Sequence, residues 1–172
     1  MNYFENSRKV YFAKMKEGAI LPYKKDEDAG YDFYACFDEP FILLEPLETK
    51  LIPTGLAWAC SPEFYLQLEE RSSTGVKGIK RSAGIIDSGY RGEIKIAITN
   101  ANDFPVVFTN ISSEELSGKV PENALIYSTK KAIAQGVIHR VEKMEILELP
   151  LDELLSISSE RSDKGFGSTN KI

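Results

Sequence analysis

The chain has 172 residues, which fits one domain with one sizeable core, and its apolar share of 42% is ordinary for a globular protein. A net charge of −5 leaves no broad basic surface, so nucleic acid is not an expected partner. No apolar run approaches the roughly 18 residues a membrane span needs, and no charged-then-apolar leader opens the chain, so neither a span nor a signal peptide is expected.

Taken in order, the segments punctuate an all-β protein. "KVYFAKM" reads as a first strand, rich in β-branched and aromatic residues. "DAGYDFYA" (28–35) is turn chemistry at Gly30 followed by a strand that carries Asp32. "FILL", "TKLIPTGLAWAC" and "EFYLQLEE" are further strands, separated by Pro, Gly, Asp and Asn. Cys36 and Cys60 form no CxxC pair and read as free buried thiols in a reducing compartment.

"ERSSTGVKGI" follows, with Ser72 or Ser73 as the N-cap of one short helix. Arg71, two hydroxyls and helix-start amides suit an anion; a plain N-cap with a surface Arg also fits. In "AGIIDSGYRGEIKIAITN", Asp87 lies between an Ile pair and a Ser-Gly turn into an alternating strand. An ordinary hairpin accounts for it, but Tyr90 and Arg91 put an aromatic and a cation in the same turn, and a carboxylate held by a turn can deprotonate a water.

"FPVVFTN" is another strand, and residues 110–122, "NISSEELSGKVPE", are patternless and read as a surface loop or insertion. "NALIYS" and "QGVIHRVEKMEILEL" are the last strands. Gln135 opens the second of them, bonded either in the core or to a ligand, and His139 is a strand residue within it. With one His and no Cys cluster, a structural zinc site is not expected. "PLDELLS" is one helical turn after Pro150, and the polar tail from residue 156 has little pattern. So many short strands predict a sandwich or jelly-roll-like barrel with at most one or two short helices.

Five segments in order, "AGYDFYA", "RSSTGVKGI", "GIIDSGYRGE", "AIAQ" and "RSDKGFGSTN", resemble the motifs of the trimeric all-β deoxyuridine triphosphatase (dUTPase) family. The resemblance implies a dUTPase-type barrel over residues 1–155, with the 110–122 insertion, and a flexible C-terminal tail over 156–172 that acts as a mobile lid. It implies Mg²⁺-dependent hydrolysis of dUTP to dUMP and pyrophosphate by water attack on the α-phosphorus. That reaction limits uracil incorporation into DNA and supplies dUMP for dTMP synthesis.

Site residues carry over by motif position. Asp87 corresponds to the catalytic carboxylate, and Tyr90 to the aromatic under the deoxyribose. Arg71, Ser72, Ser73, Gly84 and Gln135 correspond to substrate contacts, and Asp32 to a group near the metal's water shell. In the tail, Phe166 would stack on uracil, Arg161 would pair with the terminal phosphate, and Gly167, Ser168 and Thr169 would approach it. Arg81 stands where some members carry a uracil-contacting Asn. A homotrimer in the cytoplasm, bacterial or phage-infected host, is implied. Two rival readings go with the same fold: a dCTP deaminase, or a phage-type member whose 110–122 insertion grips a protein partner.

Overall fold

The computed structural model describes residues 8–159. Twelve strands and three short helices occur among them. The strands are β1 (Val10–Lys14), β2 (Tyr31–Phe33), β3 (Phe41–Leu44), β4 (Thr49–Pro53), β5 (Leu56–Cys60), β6 (Phe64–Glu69), β7 (Ile79–Ala83), β8 (Ile85–Ile86), β9 (Lys95–Asn100), β10 (Val106–Thr109), β11 (Leu125–Ser128) and β12 (Ala134–Arg140). The helices are α1 (Ser72–Gly75), α2 (Ser113–Leu116) and α3 (Leu151–Ser156).

The strands form four sheets, ordered β1-β5, β11-β10-β3, β2-β12-β6-β8 and β4-β9-β7. All pairings are antiparallel except β10 with β11, which runs parallel with Val106 opposite Leu125. Alternation decides which face goes inward. In β5, Leu56, Trp58 and Cys60 are buried while Ala57 and Ala59 are not fully so. With Phe33, Leu44, Leu66, Ile96 and Phe108 they belong to one apolar cluster from nearly every strand. Asn100, buried at the end of β9, donates to the carbonyls of Leu44, Glu45 and Phe104, so its burial is compensated.

Three local readings differ from expectation. The run 49–60 divides into β4 and β5 because Gly55 turns the chain with φ +66. The last strand ends at Arg140, after which the Val141 amide donates to Glu63, and residues 141–149 form no strand although they alternate. Alternation prepares a face, but a strand also needs a partner for its amides and carbonyls. Within 110–122, α2 is a third short helix. Ser112 and Glu115 form a reciprocal capping box there, and Leu116 is buried. The amide of Ser112, donating to the Glu115 carboxylate, holds that carboxyl below its usual range.

The chain divides into two compact units, Met1–Val141 and Glu142–Ile172. In the second, Met144, Ile146, Leu147, Leu149, Leu151, Leu154, Leu155 and Ile157 are exposed. No helix among the described residues is long and apolar enough to cross a membrane. Cys36 and Cys60 are both free, and burial pushes each thiol up from its ordinary value.

Candidate active site

Two cavities gather the chemistry-bearing residues of the first unit. The first, of about 370 Å³, is lined by Asp28, Ala29, Gly30, Asp32, Arg71, Ser72, Ser73 and Gln135. Its floor is sheet pairing: Gln135 of β12 lies opposite both Asp32 of β2 and Glu69 of β6. The Gln135 amide donates to the Glu70 carbonyl at 2.8 Å, and a Cβ on Gly30 would sit 2.8 Å from the Gln135 Oε1. Only a bare backbone at residue 30 leaves Gln135 in this position.

Arg71 follows Glu70 directly. Its Nε pairs with Asp32 Oδ1 at 2.9 Å, Nη2 reaches Oδ2 at 3.4 Å, and Nη1 donates to the Ala132 carbonyl at 3.2 Å. The guanidinium is therefore oriented as a fork before any ligand arrives. The N-cap of α1 is Arg71, in extended backbone with ψ 148, rather than Ser72 or Ser73. Thr74 takes over the capping: its hydroxyl accepts from the Arg71 amide at 3.1 Å. The side chains of Ser72 and Ser73 are left exposed on the cavity wall.

The second cavity, of about 290 Å³, is lined by Leu51, Ile85, Ile86, Asp87, Tyr90, Glu93 and Lys95. Asp87 follows the two-residue strand β8 and opens a turn closed by the Tyr90 amide donating to the Asp87 carbonyl at 3.1 Å. Arg91 braces that turn, donating to the carbonyls of Ser88 at 2.6 Å and Tyr90 at 3.1 Å. The Tyr90 hydroxyl donates to the Glu93 carbonyl at 3.0 Å, so the ring crosses Gly92, where a Cβ would collide with it. Glu93 in turn accepts from the Gly55 amide at 2.9 Å. Leu51 and Ile85 are 61% and 69% exposed, so an apolar wall stands open beside the Asp87 carboxylate.

The residues read from sequence thus fall into two sets. Asp32, Arg71, Ser72, Ser73 and Gln135 meet in the first cavity, and Asp87 and Tyr90 meet in the second. Gly84 lies just ahead of the second cavity, its carbonyl accepting from the Leu68 amide. Arg161, Phe166, Gly167, Ser168 and Thr169 lie outside the described residues. Asp28, Leu51, Glu93 and Lys95 were not singled out from sequence. Glu93 closes the third quoted motif and Asp28 directly precedes the first, whereas Leu51 and Lys95 lie outside all five.

Among the described residues no three His, Cys, Asp or Glu side chains cluster as a metal cage. The first cavity has carboxylates at Asp28 and Asp32, hard oxygen donors that suit Mg²⁺ with retained waters.

The profile of the dUTPase family matches residues 16–111. The deoxyuridine 5'-triphosphate nucleotidohydrolase of Nautilia profundicola is 33% identical over 167 residues, covering 95% of this chain and 99% of that protein. A Staphylococcus bacteriophage 80alpha dUTPase mutant, solved with dUpNHpp, superposes with a TM-score of 0.74 at 22% identity, over 95% of this chain and 99% of that one. A mutant dUTPase from phage phi11 of S. aureus, described as revealing the coordination of a structural Mg(II) ion, superposes with a TM-score of 0.66 at 24% identity, over 82% of this chain and 96% of that one. Both superpositions share the jelly-roll-like β fold.

Proposed function

The chain belongs to the dUTPase family, and from that premise we infer a dUTP diphosphatase that hydrolyses dUTP to dUMP and pyrophosphate. The observation that carries the reading is the pairing in one cavity of a turn-held carboxylate, Asp87, with an aromatic, Tyr90, and an open apolar wall. Asp87 orients a water and takes its proton as the oxygen attacks the α-phosphorus. The bond from that phosphorus to the bridging oxygen breaks, and pyrophosphate leaves. Tyr90 packs under the deoxyribose and leaves no room for a 2′-hydroxyl.

Arg71, Ser72, Ser73 and Gln135 bind phosphate oxygens, the Arg71 fork already set by Asp32. Gly84 contacts substrate through its backbone. Mg²⁺ is the proposed cofactor: Asp32 and Asp28 would hold its water shell, and the ion would neutralise charge on the triphosphate. In the 156–172 lid, Phe166 stacks on uracil, and Arg161, Gly167, Ser168 and Thr169 close on the terminal phosphate. The proposed division is a barrel domain over 1–155, whose last strand among the described residues ends at Arg140, and a lid over 156–172.

A homotrimer is the proposed assembly. β2 and β8 are opposite edges of a four-stranded sheet, about 14 Å apart at ordinary strand spacing. Among the described residues the two cavities share no lining residue, and a site combining them could be completed by two chains. The cytoplasm is the proposed compartment, where Cys36 and Cys60 stay free.

Pyrophosphate release measured over dUTP, UTP and the four ordinary dNTPs tests the activity. Selective release from dUTP is expected; ammonia from dCTP without pyrophosphate from dUTP would identify a deaminase instead.

A second role is proposed, protein binding by residues 110–122, around capped α2 and an adjoining cavity of about 310 Å³ lined in part by Leu116, Val120, Pro121 and Ile126. Reversing the exposed charges Glu114 and Lys119 should abolish capture of a partner while dUTP turnover persists. Loss of turnover in those variants would make the segment part of the enzyme.

A further inference from the structure

β7 belongs to the sheet β4-β9-β7, but β8, only one residue further on, belongs to β2-β12-β6-β8. The chain therefore changes sheets at Gly84, directly ahead of Ile85, Ile86 and Asp87, which line the second cavity. The register of β7 on β9 slips between Arg81 and Ala83, so this corner is irregular on one side. On the other side β8 offers only two residues of pairing to β6, continued by the Leu68 amide donating to the Gly84 carbonyl at 2.8 Å. A corner so lightly laddered needs another fastening.

Arg81 supplies it. Its amide donates to the Glu70 carboxylate at 3.2 Å, and its Nη2 pairs with Glu69 Oε2 at 2.9 Å. The other Glu69 oxygen accepts from the Gln67 amide group, which fixes the carboxylate. The Arg81 side chain reaches Glu69 across Gly84: a Cβ there would sit 2.8 Å from Arg81 Nη1 and 2.9 Å from its Cδ. Among the described residues, Arg81 Nε is buried with no acceptor. An orphaned buried donor costs stability, so the side chain holds a position that pairing alone does not explain.

We propose that Arg81 and Glu69 are positioning residues: they clasp the corner at Gly84 to β6 and thereby set the wall of the nucleoside cavity at Ile85 and Ile86. The proposal rests on the dUTPase reading for its substrate. The Asp87 turn has its own braces in the Tyr90 amide and Arg91, so the clasp acts on nucleoside binding more than on the chemical step.

The test uses the full chain with Arg81→Gln, Arg81→Lys and Glu69→Gln, and two measurements. In ligand-free hydrogen exchange, Arg81→Gln should speed the Leu68 amide and those of residues 85–86 at least about tenfold, leaving β4 and β9 unchanged. In kinetics, KM for dUTP should rise about tenfold with kcat within about threefold, and preference for dUTP over dCTP should narrow. Arg81→Lys, which keeps the charge but not the fork, should recover part of KM. Should Arg81→Gln not fold, Glu69→Gln makes the same cut from the other side. Unchanged exchange at Leu68 and 85–86 overturns the clasp. So does exchange that rises throughout the barrel with kcat and the melting temperature falling together, since that marks a merely structural pair. Wild-type protein inert towards dUTP overturns the dUTPase reading instead, and hydrogen exchange still decides the clasp.

Discussion

The two cavities are built on opposite plans. In the first, the guanidinium and the amide are tied before a ligand arrives, Arg71 to Asp32 and Ala132 and Gln135 to Glu70 over the bare Gly30, with the Ser72 and Ser73 hydroxyls left exposed. In the second, bonding falls on the backbone of the turn, through Tyr90, Arg91 and Glu93, and the Asp87 carboxylate and the faces of Leu51 and Ile85 stay open. A rigid polar cradle suits a triphosphate, whose charge must be met by donors already aimed. An open apolar wall beside a free carboxylate suits a nucleoside and a reacting water. In the proposed function the first cavity would hold and the second would react, and substitutions separate the two roles.

The largest effect is expected at Asp87. Asp87→Asn keeps the shape but cannot take the proton, so turnover should fall about 10³-fold, the scale of a lost general base. Affinity for a non-hydrolysable dUTP analogue, read by calorimetry, should stay within about threefold. Turnover within tenfold of wild type would remove Asp87 from this role.

Arg71→Ala attacks the holding cavity. It removes the fork and leaves Asp32 unpaired, so kcat/KM should fall about 100-fold, with analogue binding weakened as well. Arg71→Lys should restore only part, because an ammonium cannot reproduce the paired geometry. Weakened turnover with unchanged analogue affinity would contradict the assignment of this cavity to the phosphates.

Tyr90→Ala should act on choice more than on rate. The ratio of kcat/KM for dUTP over UTP should narrow about tenfold, as expected when steric exclusion of a hydroxyl is relaxed. An unchanged ratio would place the sugar elsewhere.

The mildest deficit is expected from a mixture of two inactive proteins. If a working site takes Asp87 from one chain and Arg71 from its neighbour, equal co-refolding of Asp87→Asn with Arg71→Ala gives each condition half the time. Roughly a quarter of wild-type activity should return. Zero recovery, with mixed trimers confirmed by mass, would mean that both cavities of one chain serve one site.

Much of this contrast was legible in the sequence because its parts are local. Gly30 and the Ser-Gly pair after Asp87 are turn chemistry carried by consecutive residues, and the short helix after the strand was legible too, although its N-cap is Arg71 rather than Ser72 or Ser73. Where reading failed, the deciding partner was distant or a competing signal hid it. Residues 141–149 alternate like a strand, yet β12 ends at Arg140. Ser112 and Glu115 have capping-box spacing, but the polar run around them reads as loop until Leu116 is seen to be buried. Lys95 and Leu51 reach the second cavity only because β9 pairs with β4, setting Leu51 opposite Ala97 and Lys95 opposite Pro53.

The sequence by itself determined the short strands, the turns between them, the ordered motifs and the residue types available for chemistry, since each depends on neighbours in the chain. The tertiary structure decided which of those residues meet. Asp32 and Arg71 are 39 apart in sequence, and Glu70 and Gln135 are 65 apart, yet register across β2, β12 and β6 brings them to one cavity. Asp87, 16 residues after Arg71, faces another cavity because the chain changes sheets at Gly84. The physical reason is that a strand's hydrogen bonds are satisfied by another strand, and the choice of that partner and its register is a property of the whole core rather than of any local stretch.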